Sequence, residues 1–327
     1  MMFQPATPKA AQRPLSELDF MDVYVRLDAP STPHYRAGYN GVINLPDVDL
    51  PEEYSADAAA LAAYLREHFT GIESAIDYRG TRLRATRLET GRGEIWAALR
   101  RVQDRPFPLE KLGVIPQLLP LLQDLGNRSG LILVCGASGQ GKTSTVSSLL
   151  LRYLETYGGI GFTLEDPVEY NMEGRCGKNG YCYQTEIHEE SDWGAMLKRA
   201  LRWHPRYIAV GEIRTPDAAN QVLRAATSGH TVLATMHAGS MEEALEGLLQ
   251  LAEQELGPRA LLLLAAGLTC VIYQAFSSSG LFTQFMMTEL DNPGSPLRAM
   301  IRARRIGQTR TIADQQMAKL IQNEQIF

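Results

Sequence analysis

Apolar positions along this chain follow two different rhythms, and the change between them falls near residue 117. In the first hundred residues, MDVYVRL (21–27) and GYNGVINL (38–45) carry the β-branched and aromatic content of strands, whereas AAALAAYLREHF (58–69) repeats its apolar residues at helical spacing. IDYRGTRLRATRLE and GEIWAALRRV then predict a strand meander with turns at Arg79-Gly80 and Thr90 to Gly93. DRPFPLEKLGVIP (104–116) places three prolines in 13 residues and reads as a linker.

Beyond it, short buried apolar runs alternate with helical patterns, the signature of a parallel sheet covered on both faces. The runs are LILVC (131–135), GIGFTL (159–164), YIAV (207–210) and TVLAT (231–235). The helices fall near 142–156, over 191–203 with Ser191 as cap, from about Asp217 to Thr227 and from about Met241 to Glu255. A further helix, an antiparallel hairpin around SSSG (277–280) and a last helix near 312–324 close the chain. The expected organisation is a mobile tail over 1–14, a small mixed α+β domain over 15–105, a linker over 106–116 and an α/β domain over 117–327.

Composition narrows the class without selecting a function. Of 327 residues, 45% are apolar and 21% charged, which excludes disordered and collagen-like chains. A net charge of −5 supplies no global attraction to nucleic acid or anionic lipid. The N-terminus lacks the apolar core of a secretory signal, so an intracellular protein is expected. Ala260 to Tyr273 is too short to span a bilayer and reads as a core helix running into a strand. Cys135 and Cys270 lie in apolar runs, while Cys176 and Cys182, in the glycine-rich loop CGKNGYC, are simplest as free thiols, with a disulfide or half a zinc site as the other readings.

The decisive chemistry is GASGQGKT (136–143), which fits G-x-x-x-x-G-K-[ST] between an apolar strand and a helix. The loop amides of Gly136, Ala137, Ser138, Gly139, Gln140 and Gly141 and the following helix N-terminus form a positively polarised nest for phosphate oxygens. Lys142 adds a point charge for the β and γ phosphates, and Thr143 offers a hydroxyl to Mg²⁺. Strand C-termini of a parallel sheet share one edge, so Glu165, Glu212 and His237 are expected to converge on this loop. There one acid can position Mg²⁺ and the other orient the attacking water. His230 and His237 bracket TVLAT at roughly 23 Å and cannot share a metal. His237 is then a candidate γ-phosphate sensor, and His230 reports to a neighbouring domain or is a satisfied structural residue. Arg82 and Arg84 share one strand face, and Arg100 and Arg101 end the next strand, either as a solvated face or as arginines that reach a nucleotide. Arg298 to Arg310 holds five arginines in 13 residues without interleaved aromatics, poor support for nucleic-acid contact.

GASGQGKTS, FTLEDPVEY, AVGEIR and SGHTVLATMHA occur in the order and spacing of the type II/type IV secretion ATPase superfamily, and resemble its Walker A, aspartate box, atypical Walker B and histidine box. RLRATRLETGRGEIWAALRRV followed by PFPLEKLGV resembles the N-terminal domain and linker of pilus retraction ATPases. The resemblance implies a homohexameric ring of PAS-like and RecA-like domains, working with ATP and Mg²⁺ at the cytoplasmic face of the inner membrane beside a secretion, transfer or pilus platform. It carries over Lys142, Thr143 and Ser144 in Walker A; Glu165, Asp166 and Glu169 in the aspartate box; Glu212, with Mg²⁺ through water, and Arg214 in Walker B; and His230 and His237. Arg82, Arg84 and Arg101 match nucleotide-reaching arginines, and Arg199 and Arg202 match the helix before Walker B. Gly211 is normal for this family, which leaves Glu165 and Glu212 as rivals for catalytic base. LRWHPR (201–206) departs from the usual LRQDPD, and Thr215 stands where aspartate is common. These departures, CGKNGYC and IADQQMAKL are closer to Dot/Icm type IVB secretion and conjugative-transfer ATPases than to a pilus retraction motor, which is the alternative.

Overall fold

The computed structural model describes residues 12–37, 46–277, 280–289 and 292–327. The chain divides into Met1–Asp104 and Arg105–Phe327. The strand expected over 38–45 and most of the N-terminal tail lie outside the described residues.

In the first unit, β1 (Phe20–Arg26), β2 (His34–Ala37), β3 (Asp47–Asp49), β4 (Glu73–Tyr78), β5 (Thr81–Glu89) and β6 (Ile95–Arg101) form an antiparallel sheet in the order β3-β2-β1-β6-β5-β4 among the described residues. The meander is as expected, and Arg79 and Gly80 make its tight turn with φ of 48° and 78°. Helix α1 (Glu52–His68) begins six residues before the run AAALAAYLREHF. Its Ala58, Leu61 and Leu65 are fully buried in a cluster with Val23, Leu83 and Leu99. The extra turn hides from an apolar reading because its buried anchor is polar: Asp57 accepts from the Leu15 amide at 2.7 Å and the Tyr78 hydroxyl at 3.1 Å.

The second unit contains β7 (Gly130–Gly136), β8 (Gly159–Glu165), β9 (Gly174–Cys176), β10 (Gly180–Glu186), β11 (Tyr207–Val210), β12 (Thr231–His237), β13 (Leu268–Ser277) and β14 (Gly280–Met287). Its sheet runs β14-β13-β7-β12-β11-β8-β10-β9, with six parallel central strands and antiparallel edges. Helices α2 (Leu119–Leu125) and α3 (Lys142–Tyr157) share one face with the C-terminal α9 (Arg310–Ile321). The other face is covered by α4 (Trp193–Leu201), α5 (Pro216–Thr227), α6 (Met241–Leu256), α7 (Arg259–Gly267) and α8 (Pro296–Arg302). All residues of β7 are buried, which explains its uninterrupted apolar run. Segment 106–116 packs on this unit: Leu109 and Val114 are in its core, and Ser148 donates to the Phe107 carbonyl at 2.7 Å.

Two details differ from expectation, the segment CGKNGYC and the cap of α4. CGKNGYC is a hairpin that delivers β10 as a parallel partner of β8, in register from Gly180↔Gly159 to Glu186↔Glu165. Gly180 permits this because a Cβ there would lie 2.5 Å from both the Cys176 and Leu154 carbonyl oxygens. All four cysteines are buried free thiols, and no metal cluster occurs among the described residues. Ser191 does not cap α4; Asp192 holds the N-cap position without a side-chain bond. Ala260 to Tyr273 is α7 running into β13, and no helix among the described residues is long and apolar enough to cross a membrane.

Thr215 explains its own departure from aspartate. It is the N-cap of α5, its hydroxyl accepting from the Ala218 amide at 3.3 Å, a role aspartate fills equally well. Thr215→Ala is expected to lower unfolding stability by about 1 kcal/mol and Thr215→Asp to leave it within a few tenths, as read by chemical denaturation.

Candidate active site

The strand register builds the site. His237 pairs with Gly136, so the last residue of β12 lies beside the first residue of the glycine loop. Gly139 and Gly141 take left-handed φ of 74° and 75°, and α3 starts at Lys142. This backbone turns successive amides toward one point, the arrangement that holds phosphate. The loop is tied to β13: Gln274 Nε2 donates to the Gln140 backbone carbonyl at 2.5 Å, and Gln140 Oε1 accepts from the Phe276 backbone amide. Gln274 also accepts from Thr145 of α3 at 2.8 Å.

A continuous chain of charge crosses the strand ends. Lys142 Nζ donates to the carbonyls of Gly136 at 3.0 Å and Ala137 at 2.8 Å, and to His237 Nδ1 at 3.1 Å. With Nδ1 accepting, the proton of a neutral ring sits on Nε2, which faces Glu212 Oε1 at 3.2 Å. Glu212 Oε2 accepts from Arg214 Nη2 at 2.6 Å, and Arg214 Nη1 lies 3.9 Å from Asp166. Burial pulls the Lys142 ammonium below its ordinary pKa, and the Glu212 charge opposes that shift.

Gly211 places Glu212 at the end of this chain. Its amide donates to the Leu164 carbonyl at 2.8 Å, and a Cβ would lie 3.1 Å from that oxygen, so the backbones of β8 and β11 approach closely here. The acid appears one residue later, where it meets His237.

Glu165 has different surroundings. It accepts from Thr163 Oγ1 at 2.6 Å, Gln184 Nε2 at 2.9 Å and the Glu169 amide at 3.4 Å. Burial pushes its pKa up, and these donors oppose the shift. Glu165 and Thr143 line one small cavity with Ser147, Gly211 and Thr235. Ser144 forms a 2.6 Å hydrogen bond with Tyr170.

Lys142, Glu165, Asp166, Glu212, Arg214 and His237 thus gather at one sheet edge. Other candidates lie elsewhere. His230 sits at the opposite end of β12, Nδ1 2.7 Å from the Pro205 carbonyl. Arg199 and Arg202 are exposed on and just after α4, with Arg199 3.5 Å from Met196 Sδ. In the first unit, Arg82 lies 3.8 Å from Asp77 and Arg84 2.7 Å from Glu73. Arg101 donates to the carbonyls of Leu15, Ser16 and Leu18 and lies over Phe20, which makes it a lock within its own unit. The C-terminal arginine cluster also serves the fold: Arg298 caps the last carbonyls of α7, and Arg304 grips Glu253 with bonds of 2.6 and 2.9 Å.

Sequence reading missed Gln184, Gln274 and Tyr170, which hold Glu165, the loop and Ser144. A single amide inside the apolar runs YCYQTE and CVIYQAF was the available signal, because a buried amide needs partners.

The model of the family described as type II/IV secretion system protein matches residues 70–283, well over half of the chain. The chain belongs to this family. Within the type II/IV secretion family, the competence protein ComGA of Halalkalibacterium halodurans is 37% identical over 161 residues, 48% of this chain and 44% of its own length. The type II secretion system protein HxcR of Pseudomonas aeruginosa is 33% identical over 175 residues, 52% of this chain and 35% of its own length. The chain therefore spans less than half the length of these curated relatives. Among solved structures, the pilus retraction motor PilT with bound ADP superposes with a TM-score of 0.69 at 25% identity, over 95% of this chain and 88% of that one. The ATPase DotB of Legionella pneumophila has a TM-score of 0.67 at 19% identity over 92% and 85%, a likeness of fold.

Proposed function

We propose that this chain is an ATP-hydrolysing motor subunit. It works as a homohexamer at the cytoplasmic face of an inner-membrane secretion, transfer or pilus platform. The observation that carries the reading is the continuous Lys142–His237–Glu212 chain beside the glycine loop, in a family whose solved neighbour PilT was crystallised with ADP. Loop amides of residues 136–141 bind the phosphates, and Lys142 exchanges its carbonyl partners for phosphate oxygens. His237 lies between that lysine and Glu212, so a change at the phosphate end is felt at the acid. Glu212 accepts the proton of the attacking water, and Arg214 holds its far oxygen.

The oxygen donors near the loop, the Thr143 hydroxyl and the carboxylates, are those a hard divalent cation takes, so they fit Mg²⁺. Thr143 would hold it directly and Glu212 through water, and the ion supplies charge neutralisation on the phosphates. Arg82 and Arg84 are paired with partly or largely exposed carboxylates that a phosphate can replace, so these two, rather than Arg101, are assigned to a neighbouring subunit's nucleotide.

The machine assigned is a type IVB secretion or conjugative-transfer system, on the divergent LRWHPR and CGKNGYC segments. Pilus retraction is the second reading, favoured by the 25% identity to PilT across 95% of this chain. The test is steady-state ATP turnover of the purified chain, with native mass measured with and without ATP and Mg²⁺. Turnover by a six-subunit ring is expected. A monomer that neither binds nor hydrolyses ATP would overturn the reading.

A further inference from the structure

Beside the phosphate loop stands an aromatic ring that the hydrolytic chain does not use. Phe276 belongs to β13, where Ile272, Gln274 and Phe276 alternate onto the face that carries α3. Ile272 is in the core and Gln274 is 1% exposed. Phe276, one strand step further, is 58% exposed although it is a large hydrophobic residue. Its ring lies against Gly141: a Cβ built there would be 3.4 and 3.6 Å from two ring carbons, so the glycine leaves the ring room at the N-terminus of α3. The Phe276 amide is hydrogen-bonded to the side chain of loop residue Gln140, which fixes the ring's backbone to the loop. The other aromatic at this site, Tyr170, is 6% exposed and hydrogen-bonded to Ser144, so its face is covered.

We infer that Phe276 is the stacking platform for the nucleobase of the nucleoside triphosphate whose phosphates occupy the 136–143 loop. The inference rests on the nucleotide-binding reading above and adds the group that receives the base. Phosphate held at the N-terminus of α3 leaves the rest of the nucleotide to extend away from the loop. An exposed aromatic face anchored to that loop offers it a flat, apolar surface. Stacking on a phenyl ring uses the π-face common to all bases, so the platform strengthens binding of ATP and GTP alike.

The experiment compares equilibrium binding of ATP, GTP and inorganic tripolyphosphate to the full chain, as wild type, Phe276→Ala and Phe276→Tyr, with native mass recorded for each. The expected result is about a tenfold loss of ATP and GTP affinity in Phe276→Ala, with tripolyphosphate affinity within twofold and nucleotide affinity restored in Phe276→Tyr. Unchanged ATP affinity in Phe276→Ala, beside a wild type that binds ATP, would overturn the platform alone. An equal loss for tripolyphosphate would show that the ring only shapes the loop, and a changed native mass that it is a subunit contact; either sinks the inference. A wild type that binds neither ATP nor tripolyphosphate would instead remove the nucleotide reading, and the platform with it.

Discussion

Glu212→Gln is expected to lower ATP turnover by about two to four orders of magnitude while changing ATP affinity only a few-fold. The substitution keeps shape and removes basicity. Glutamine can still accept from His237 Nε2, which lies 3.2 Å from Oε1 in the wild type, so the geometry of the strand ends survives. A proton acceptor for water does not. The rival acid, Glu165, is 5% exposed, and Thr163, Gln184 and the Glu169 amide already donate to its oxygens. Its carboxylate is a structural acceptor that holds β8 to β10. Glu165→Gln keeps an oxygen for Thr163 and Gln184, which share Oε1, and turns its NH₂ toward the Glu169 amide, itself a donor, so it is expected to cost about 1 kcal/mol of stability, with a smaller fall in turnover per folded molecule. Single-turnover and steady-state hydrolysis of both variants, normalised to the folded fraction, separate the two acids. Near-normal hydrolysis in Glu212→Gln beside a folded but inactive Glu165→Gln would exchange their roles.

What could be read in advance follows a physical division. The loop 136–143, its flanking strand and helix, and the gathering of Glu165, Glu212 and His237 were legible because each depends on local pattern plus one rule, that parallel strands end at a common edge. The aid that Gln274 gives to Gln140 and Thr145 was not legible, because it joins residues 134 and 129 positions apart and depends on the β13–β7 register. Strand β10 was hidden for another reason. Tyr181, Tyr183 and Thr185 favour a strand, but Cys182 and the preceding CGKNG drew the reading toward redox or metal chemistry, whereas Gly180 is there so that the chain can pass within contact of the Leu154 carbonyl. Polar residues inside buried faces misled the helix limits too, as Asp57 did for α1. The arginines show the converse error. The family resemblance groups Arg82, Arg84 and Arg101 as equals, but three backbone carbonyls hold Arg101 within its own unit.

Lys142→Met is expected to separate function from stability more sharply than any other change at this site. Lys142 is 7% exposed as a residue, and burial is the largest influence on its ammonium, pulling its pKa down. A charge so disfavoured is not a strong contributor to the empty fold, even with two loop carbonyls and His237 as partners. Methionine fills similar space without the desolvation penalty; the freed Ala137 carbonyl belongs to an exposed residue, whereas Gly136 is buried and loss of its donor offsets part of that gain. The melting temperature of the empty protein should therefore stay within about 2 °C of wild type, or rise. Binding should respond in the opposite sense. Phosphate brings the negative charge this ammonium lacks, and loss of one partner of a buried, hydrogen-bonded charge pair weakens binding by roughly 2–5 kcal/mol, about thirty- to five-thousandfold in affinity. Thermal unfolding with and without ATP reads both effects at once: wild type gains stability with ligand and the variant does not. A variant that unfolds many degrees lower when empty would show that Lys142 is a structural pin of the loop. A variant still stabilised by ATP as much as wild type would show that the loop amides and helix terminus bind phosphate unaided.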